Sequence, residues 1–448
     1  MLPITRRPAW WLLAPGMILA ALYVHQYVSA ERVLADAQSA VAAYALLLIF
    51  AASLVSVSAA LEVGRDSSSR GVTEIAVRGK IIVAFARLWP SLVAGALIQL
   101  VGILLLLGKA GSSPNRFPVL IAVGLFSALF FHAGIGMFLG TWLRARFAVP
   151  LALVVSYIWL GFAWSFDFVP VRYLAGLALE GCCSPVETLD VAAVYSLMVF
   201  SVLGFFGFVL LAMGVSGRKI LPRGKAAWLR VTAGLLVLVL AASLGLFIAR
   251  QVAATPVKAR PLSEAECSAT VPEVCLFPTQ LARGDTRPVY ADTFEALEHH
   301  GMRKITKVYS TSTAQVPVLS DEGVANVMAA PGQSRTRAVE SAASTYADAL
   351  TYIECPQETS ADVYGWAEVL KAWSVQTAAQ EVLAPDERAG LPDTSMLESV
   401  SIPDETDFFG QWSKLRKLDE KSQTQWVTVA YDRLSTCRLP DAVSAGVR

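Results

Sequence analysis

The chain has 448 residues, of which 55% are hydrophobic and only 16% charged, with a mean hydropathy of +0.51. Soluble chains carry roughly 25% charged residues, so this composition excludes an ordinary water-soluble protein. The net charge of +1 averages two unlike parts: residues 1–250 hold 19 Lys/Arg against 9 Asp/Glu, and residues 251–448 hold 18 against 27. The change of sign marks a boundary between two domains, and the acidic part has no basic patch suited to nucleic acid.

A helix needs about 20 apolar residues to cross the hydrocarbon core of a bilayer. Segments at 9–29, 38–61, 88–107, 118–142, 149–165, 191–213 and 231–249 fit a crossing. Basic residues crowd alternate loops. Arg6 and Arg7 precede the first span, and Arg65, Arg70, Arg78, Lys80 and Arg87 lie around the loop between the second and third. Arg144 and Arg146 follow the fourth, and Arg218, Lys219, Arg223, Lys225 and Arg230 follow the sixth. The opposite loops hold only Arg32, Lys109, Arg116 and Arg172. The excess of Lys/Arg on the cytoplasmic side of membrane proteins predicts a cytoplasmic N-terminus. Seven crossings of the cell membrane then put residues 251–448 outside the cytoplasm. The first segment exceeds a signal-peptide core and lacks a small-residue cleavage site, so it reads as a retained span.

The cysteines follow the same division. Cys182 and Cys183 fall in the loop between spans five and six, and Cys267, Cys275, Cys355 and Cys437 in the acidic part. All six are on the predicted oxidising side, which suggests disulfides. The last four allow three connectivities. The short local loop favours Cys267 with Cys275, and so Cys355 with Cys437. No metal is expected: there is no CxxC, and the acidic part offers only the adjacent His299 and His300, which read as solvated.

Within the spans, His25 and His132 read as hydrogen-bonded packing residues rather than proton relays. No span has an Asp or Glu at its centre, which argues against a proton- or sodium-coupled pump. Gly134, Gly136 and Gly140 suit close helix packing. The loop from Glu62 is more informative. Val72, Ile75, Ala76, Gly79, Ile82, Val83 and Ala86 recur at helical spacing, with Thr73, Glu74, Arg78 and Lys80 on other faces. This period predicts an amphipathic helix at 72–86 that lies on the inner surface and then turns into the third span. It is either an inert interfacial anchor or a docking lever. Residues 166–190 contain apolar pieces too short to cross, read either as a partly re-entrant hairpin or as a plain loop helix.

In the acidic part, 251–263 reads as a linker and 264–448 as a mainly helical α+β domain. Helices are expected at 292–300, 341–353, 363–383 and 408–435, and a strand at 305–309. Trp366, Trp373, Trp412 and Trp426 are expected in its core. HExxH, GxSxG and Walker A patterns are absent, so no catalytic residue, enzyme activity or cofactor is assigned.

The cytoplasmic amphipathic segment between spans two and three resembles the coupling helix of ABC-2-type exporter permeases. Residues 267–278, CSATVPEVCLFP, and a final helix ending at Cys437 resemble an extracytoplasmic domain of unknown function attached to such permeases in high-GC Gram-positive bacteria. That family commonly has Trp where Phe277 stands. The resemblance implies an α-helical polytopic core of six exporter-like spans, with a seventh that carries the C-terminal domain outward. It also implies a separate cytoplasmic ABC ATPase contacted through Glu62, Arg65, Val72, Ile75, Arg78 and Lys80. The assembly would be a homodimer or a pair with a second permease, moving a peptide, a lipid-linked molecule or a small natural product. The alternative is a membrane-anchored sensor or interaction protein whose ectodomain binds an extracellular ligand.

Overall fold

The structure is a computed structural model that describes residues 7–28, 36–65, 80–110, 118–215, 225–391 and 407–443. The chain divides into two compact units, Met1–Lys258 and Ala259–Arg448.

The first unit runs α1 (Pro8–Tyr27), α2 (Ala37–Ala43), α3 (Leu48–Arg65), α4 (Lys80–Ala110), α5 (Val119–Trp142), α6 (Ala145–Phe162), α7 (Val169–Ala175), β1 (Glu187–Leu189), α8 (Val191–Gly214) and α9 (Lys225–Ala249). A 3-10 turn, Tyr44–Leu47, joins α2 to α3 in one stretch, Ala37–Gly64. That stretch and α1, α4, α5, α6, α8 and α9 supply seven helical segments long and apolar enough to cross a membrane. The chain is a helical multi-pass membrane protein.

The second stretch is the most buried of the seven and α9 the least. Without a hydrophobic force between helices in lipid, close approach depends on small residues. A Cβ on Gly136 would strike the Ser56 carbonyl oxygen, and one on Gly140 would lie 2.5 Å from that of Ala60, so α5 sits backbone-to-backbone on α3. Gly207 and Gly234 bring α8 and α9 together in the same way. Lys109, in the last turn of α4, donates to the carbonyls of Val24 and Val28, both at 2.6 Å, and satisfies the open end of α1.

One sequence reading changes here and another is narrowed. α4 is unbroken from Lys80 to Ala110, so residues 80–86 belong to the third span's own helix and no turn separates them from it. Nothing at these positions breaks a helix, and Ile81, Ile82 and Val83 extend the apolar run. The rest of the predicted amphipathic helix, 72–79, lies outside the described residues. In the loop 166–190, α7 has seven residues, about 10 Å of helix, which favours the plain loop helix of the two readings. Tyr173, Leu177 and Leu179 from α7 and the turn after it are buried in one core with Tyr44 and Leu48.

The predicted linker is ordered and its first half is bound to the first unit. Tyr173 Oη donates to the Ala253 carbonyl at 2.7 Å, the Asp190 N–H donates to the Pro256 carbonyl at 2.8 Å, and Lys258 Nζ lies 3.1 Å from the Asp190 carboxylate. β2 (Val257–Ala259) and a 3-10 turn at Leu262–Glu264 follow.

The second unit has one four-stranded sheet in the order β3 (Glu266–Cys267), β4 (Glu273–Leu276), β5 (Lys307–Tyr309), β6 (Val324–Asn326). β3 and β4 are antiparallel, with Cys267 opposite Cys275, whereas β4–β5 and β5–β6 are parallel. Between β4 and β5 the chain forms α10 (Pro278–Leu281) and α11 (Arg287–His299). After β6 come α12 (Arg335–Thr351), α13 (Gln357–Val382), α14 (Phe408–Leu415) and α15 (Glu420–Leu434). The single helix expected at 408–435 is therefore two. Asp419 ends the intervening turn by accepting the Ser422 N–H at 3.0 Å, an N-cap that starts α15. Trp366, Trp373 and Trp412 are buried in the core beside Phe294, Tyr346 and Leu370, and Trp426 is partly buried against them.

Candidate functional site

The residues singled out from the loop that is predicted to be cytoplasmic are only partly placed. Glu62 is buried in the last turns of α3, Arg65 is its final residue, and Lys80 opens α4. Val72, Ile75 and Arg78 lie outside the described residues.

Each cysteine has a cysteine partner. Cys267 and Cys275 sulfurs are 2.03 Å apart and those of Cys355 and Cys437 2.01 Å, the connectivity that the short loop favoured. Cys182 and Cys183 pair side by side, both buried in the core of the first unit. Glu273 stands close to Cys267 and Cys275. With both sulfurs in a disulfide they offer no thiolate to a metal, and Glu273 is held by Lys307 at 2.8 Å.

Inside the bundle, His25 is exposed, and only its carbonyl oxygen bonds to Lys109, at 3.3 Å. His132 is fully enclosed, packed edge-on against Phe131. Its Nδ1 has no hydrogen-bond partner among the described residues, so the expected satisfied packing histidine is only half right.

The second unit carries a groove that sequence reasoning missed. It follows one face of α15, through Glu420, Gln423, Thr424, Thr428, Tyr431 and Asp432, as two hollows of about 230 and 550 Å³. In the smaller, His300 is not solvated as expected. Its Nε2 lies 2.7 Å from the Glu381 carboxylate and its Nδ1 3.3 Å from that of Glu420, with the Trp373 ring edge-on at 6.4 Å. Both ring nitrogens are thus engaged by carboxylates, and neither activates a hydroxyl nucleophile. His299 next to it is exposed. The physical reason is Gly301, at φ +80°, which ends α11 and turns His300 inward onto α13 and α15.

Gly301 also forms the saddle between the hollows: its carbonyl accepts from Thr428 at 3.5 Å, and a Cβ there would lie 2.9 Å from Thr424 Cγ2. In the larger hollow Arg303 pairs with Asp321 at 3.2 Å. Tyr346 Oη donates to the Arg303 carbonyl at 2.5 Å, which fixes the floor. Burial raises the titration of the Tyr346 hydroxyl well above the usual tyrosine range and that of Tyr431 in the same direction, so both hydroxyls stay neutral. The groove is polar, with more acidic than basic groups, and can take a hydrogen-bonding ligand. Its signals in the sequence were the Gly after two histidines and the Asp419 cap, neither of which marks a groove by itself.

Comparison with protein families, curated proteins and solved structures finds no match for this chain.

Proposed function

We propose that the chain is the membrane-spanning subunit of an ATP-driven exporter of the ABC-2 kind, driven by a separate cytoplasmic ATPase. The observation that supports this best is where the segment 66–79 is attached. It joins α3, the most buried part of the bundle, to α4, a continuous helix that runs to Ala110. A push on that segment is delivered to two helices at once, one of them locked to α5 at Gly136 and Gly140. The amphipathic period from Val72 onward, with Glu74, Arg78 and Lys80 off the apolar face, gives the ATPase a charged surface. The subunit works as a homodimer or with a second permease, and the acidic domain, carried out by the seventh span, meets cargo on the far side.

Purification of the intact protein from its native membrane in mild detergent tests this. A P-loop ATPase is expected to co-purify, and the helix-breaking Ile75→Pro is expected to lower the ATP turnover of the complex severalfold. Recovery without an ATPase, or turnover unchanged by Ile75→Pro, overturns the reading. The groove along α15 favours a second reading, a membrane-anchored receptor or sensor, and recovery of a signalling kinase in place of the ATPase would select it.

A further inference from the structure

Several hydroxyls inside the bundle use the usual solution for a polar group in lipid and bond back to their own helix. Ser127 donates to the Gly124 carbonyl at 2.6 Å, Ser196 to that of Ala193 at 2.8 Å and Thr141 to that of Met137 at 2.8 Å. Ser53, Ser56 and Ser156 do not. Their Oγ atoms, like Nδ1 of His132, have no hydrogen-bond partner among the described residues. None of these four side chains is more than 4% exposed.

The helix contacts place the four at similar depth on adjoining faces of three packed helices. Gly136 faces the Ser56 carbonyl and Gly140 that of Ala60, so α5 and α3 run parallel in step, and one turn back on α5 sets His132 beside position 52 or 53. Gly64 meets Ala145 and Gly161 meets Ile49, so α6 runs antiparallel to α3, with Ser156 falling alongside Ser53 and Ser56. Ser156 belongs to the one buried stripe of α6, with Ala148, Ala152 and Leu160. On α5, Ile135 and Leu139 pack in one cluster with Ala148 and Ala152, while Gly136 and Gly140 meet α3. His132 lies between those two faces. Along their helices all four residues are within about 8 Å of the middle of their spans.

Four hydrogen-bonding groups buried near mid-membrane are costly unless something solvates them. α5 contains no Asp, Glu, Lys or Arg, and in α3 and α6 such residues stand only near the ends, so the occupant is uncharged. A buried water needs two to four polar partners, which this arrangement supplies. We propose that Ser53, Ser56, His132 and Ser156 form a hydrated polar pocket between the second, fourth and fifth spans, a site for water and small uncharged hydrogen-bonding molecules. The pocket is a property of the bundle and does not depend on the transport reading.

Cys267–Cys275 and Cys355–Cys437 are disulfides, and the parent chain is alkylated alongside so that any reaction at Cys182 or Cys183 is subtracted from that of the introduced thiol. The near-isosteric Ser53→Cys and Ser156→Cys are made in the full chain, purified in detergent without reductant, with Ser196→Cys as an equally buried control from α8. A thiol reacts as its thiolate, which needs water, so iodoacetamide, itself a small neutral amide, is expected to alkylate S53C and S156C about tenfold faster than S196C. Adding His132→Leu is expected to slow the reaction to the control rate, whereas His132→Asn, which keeps a hydrogen-bonding side chain, preserves it. A bulky sulfonated maleimide is expected not to react. Rates equal to that of S196C, or indifferent to His132→Leu, overturn the pocket; equal reaction with the sulfonated reagent overturns its restriction to small uncharged molecules. Should either serine variant elute as misfolded protein, Ser56→Cys serves in its place under the same criteria.

Discussion

Gln280 shows how single side chains hold the acidic unit together. It is 1% exposed, yet every polar atom is used: Oε1 accepts the Phe277 N–H at 2.7 Å, and Nε2 donates to Ser310 Oγ at 2.7 Å and to the Ala329 carbonyl at 2.9 Å. Ser310 in turn accepts the Ala329 N–H at 3.1 Å. The residue therefore ties the end of β4 to the segments that follow β5 and β6. Gln280→Leu keeps the volume but leaves a buried N–H and a buried carbonyl unpaired, which costs on the order of 3 kcal/mol. In a thermal melt of the full chain, the transition of this unit is expected to fall by about 10 °C, and an unchanged transition would show that these bonds contribute nothing. None of this was legible beforehand. A Gln after a Pro-Thr pair reads as a surface residue, and only the approach of 310 and 329 makes it a core one.

At the scale of elements, the helices were visible where apolar residues repeat at helical spacing, as in α12 and α13. Of the strands in the four-stranded sheet, β5 falls within the expected 305–309, whereas β3, β4 and β6, with two to four residues, are too short to show a period of two. The disulfides do different work according to the loops they close. Cys267 and Cys275 are 8 residues apart and bridge one hairpin, whereas Cys355 and Cys437 are 82 apart and join the start of α13 to the end of α15. In the chain-entropy view the longer loop gives about 2 kcal/mol more stabilisation. The double variant Cys355→Ser/Cys437→Ser is therefore expected to melt lower than Cys267→Ser/Cys275→Ser, as read by the same thermal scan. The reverse order would mean that the hairpin carries the unit. Cys437, at φ +57°, ends α15 and forms this bridge, so one residue serves both as stop and as staple.

Across the whole molecule, the sign change at residue 250 and the alternation of basic loops predict the sides of the bundle. Alkaline phosphatase fused after Lys258 is expected to be active in cells and inactive when fused after Val215, because that enzyme matures only outside the cytoplasm. The opposite pattern would invert the topology and remove the basis for a cytoplasmic ATPase contact. What the sequence determined by itself is the number of spans, their approximate limits and the separation of an acidic cysteine-bearing unit. Those follow from composition and length, which act one segment at a time. Only the tertiary structure decided that α4 continues through Lys80, that His300 turns inward between Glu381 and Glu420, and that His132 and three serines of the bundle are buried without a hydrogen-bond partner among the described residues. These depend on residues far apart in the chain arriving at one place, where a glycine contact or a cap sets the approach. No local pattern in the sequence records that meeting.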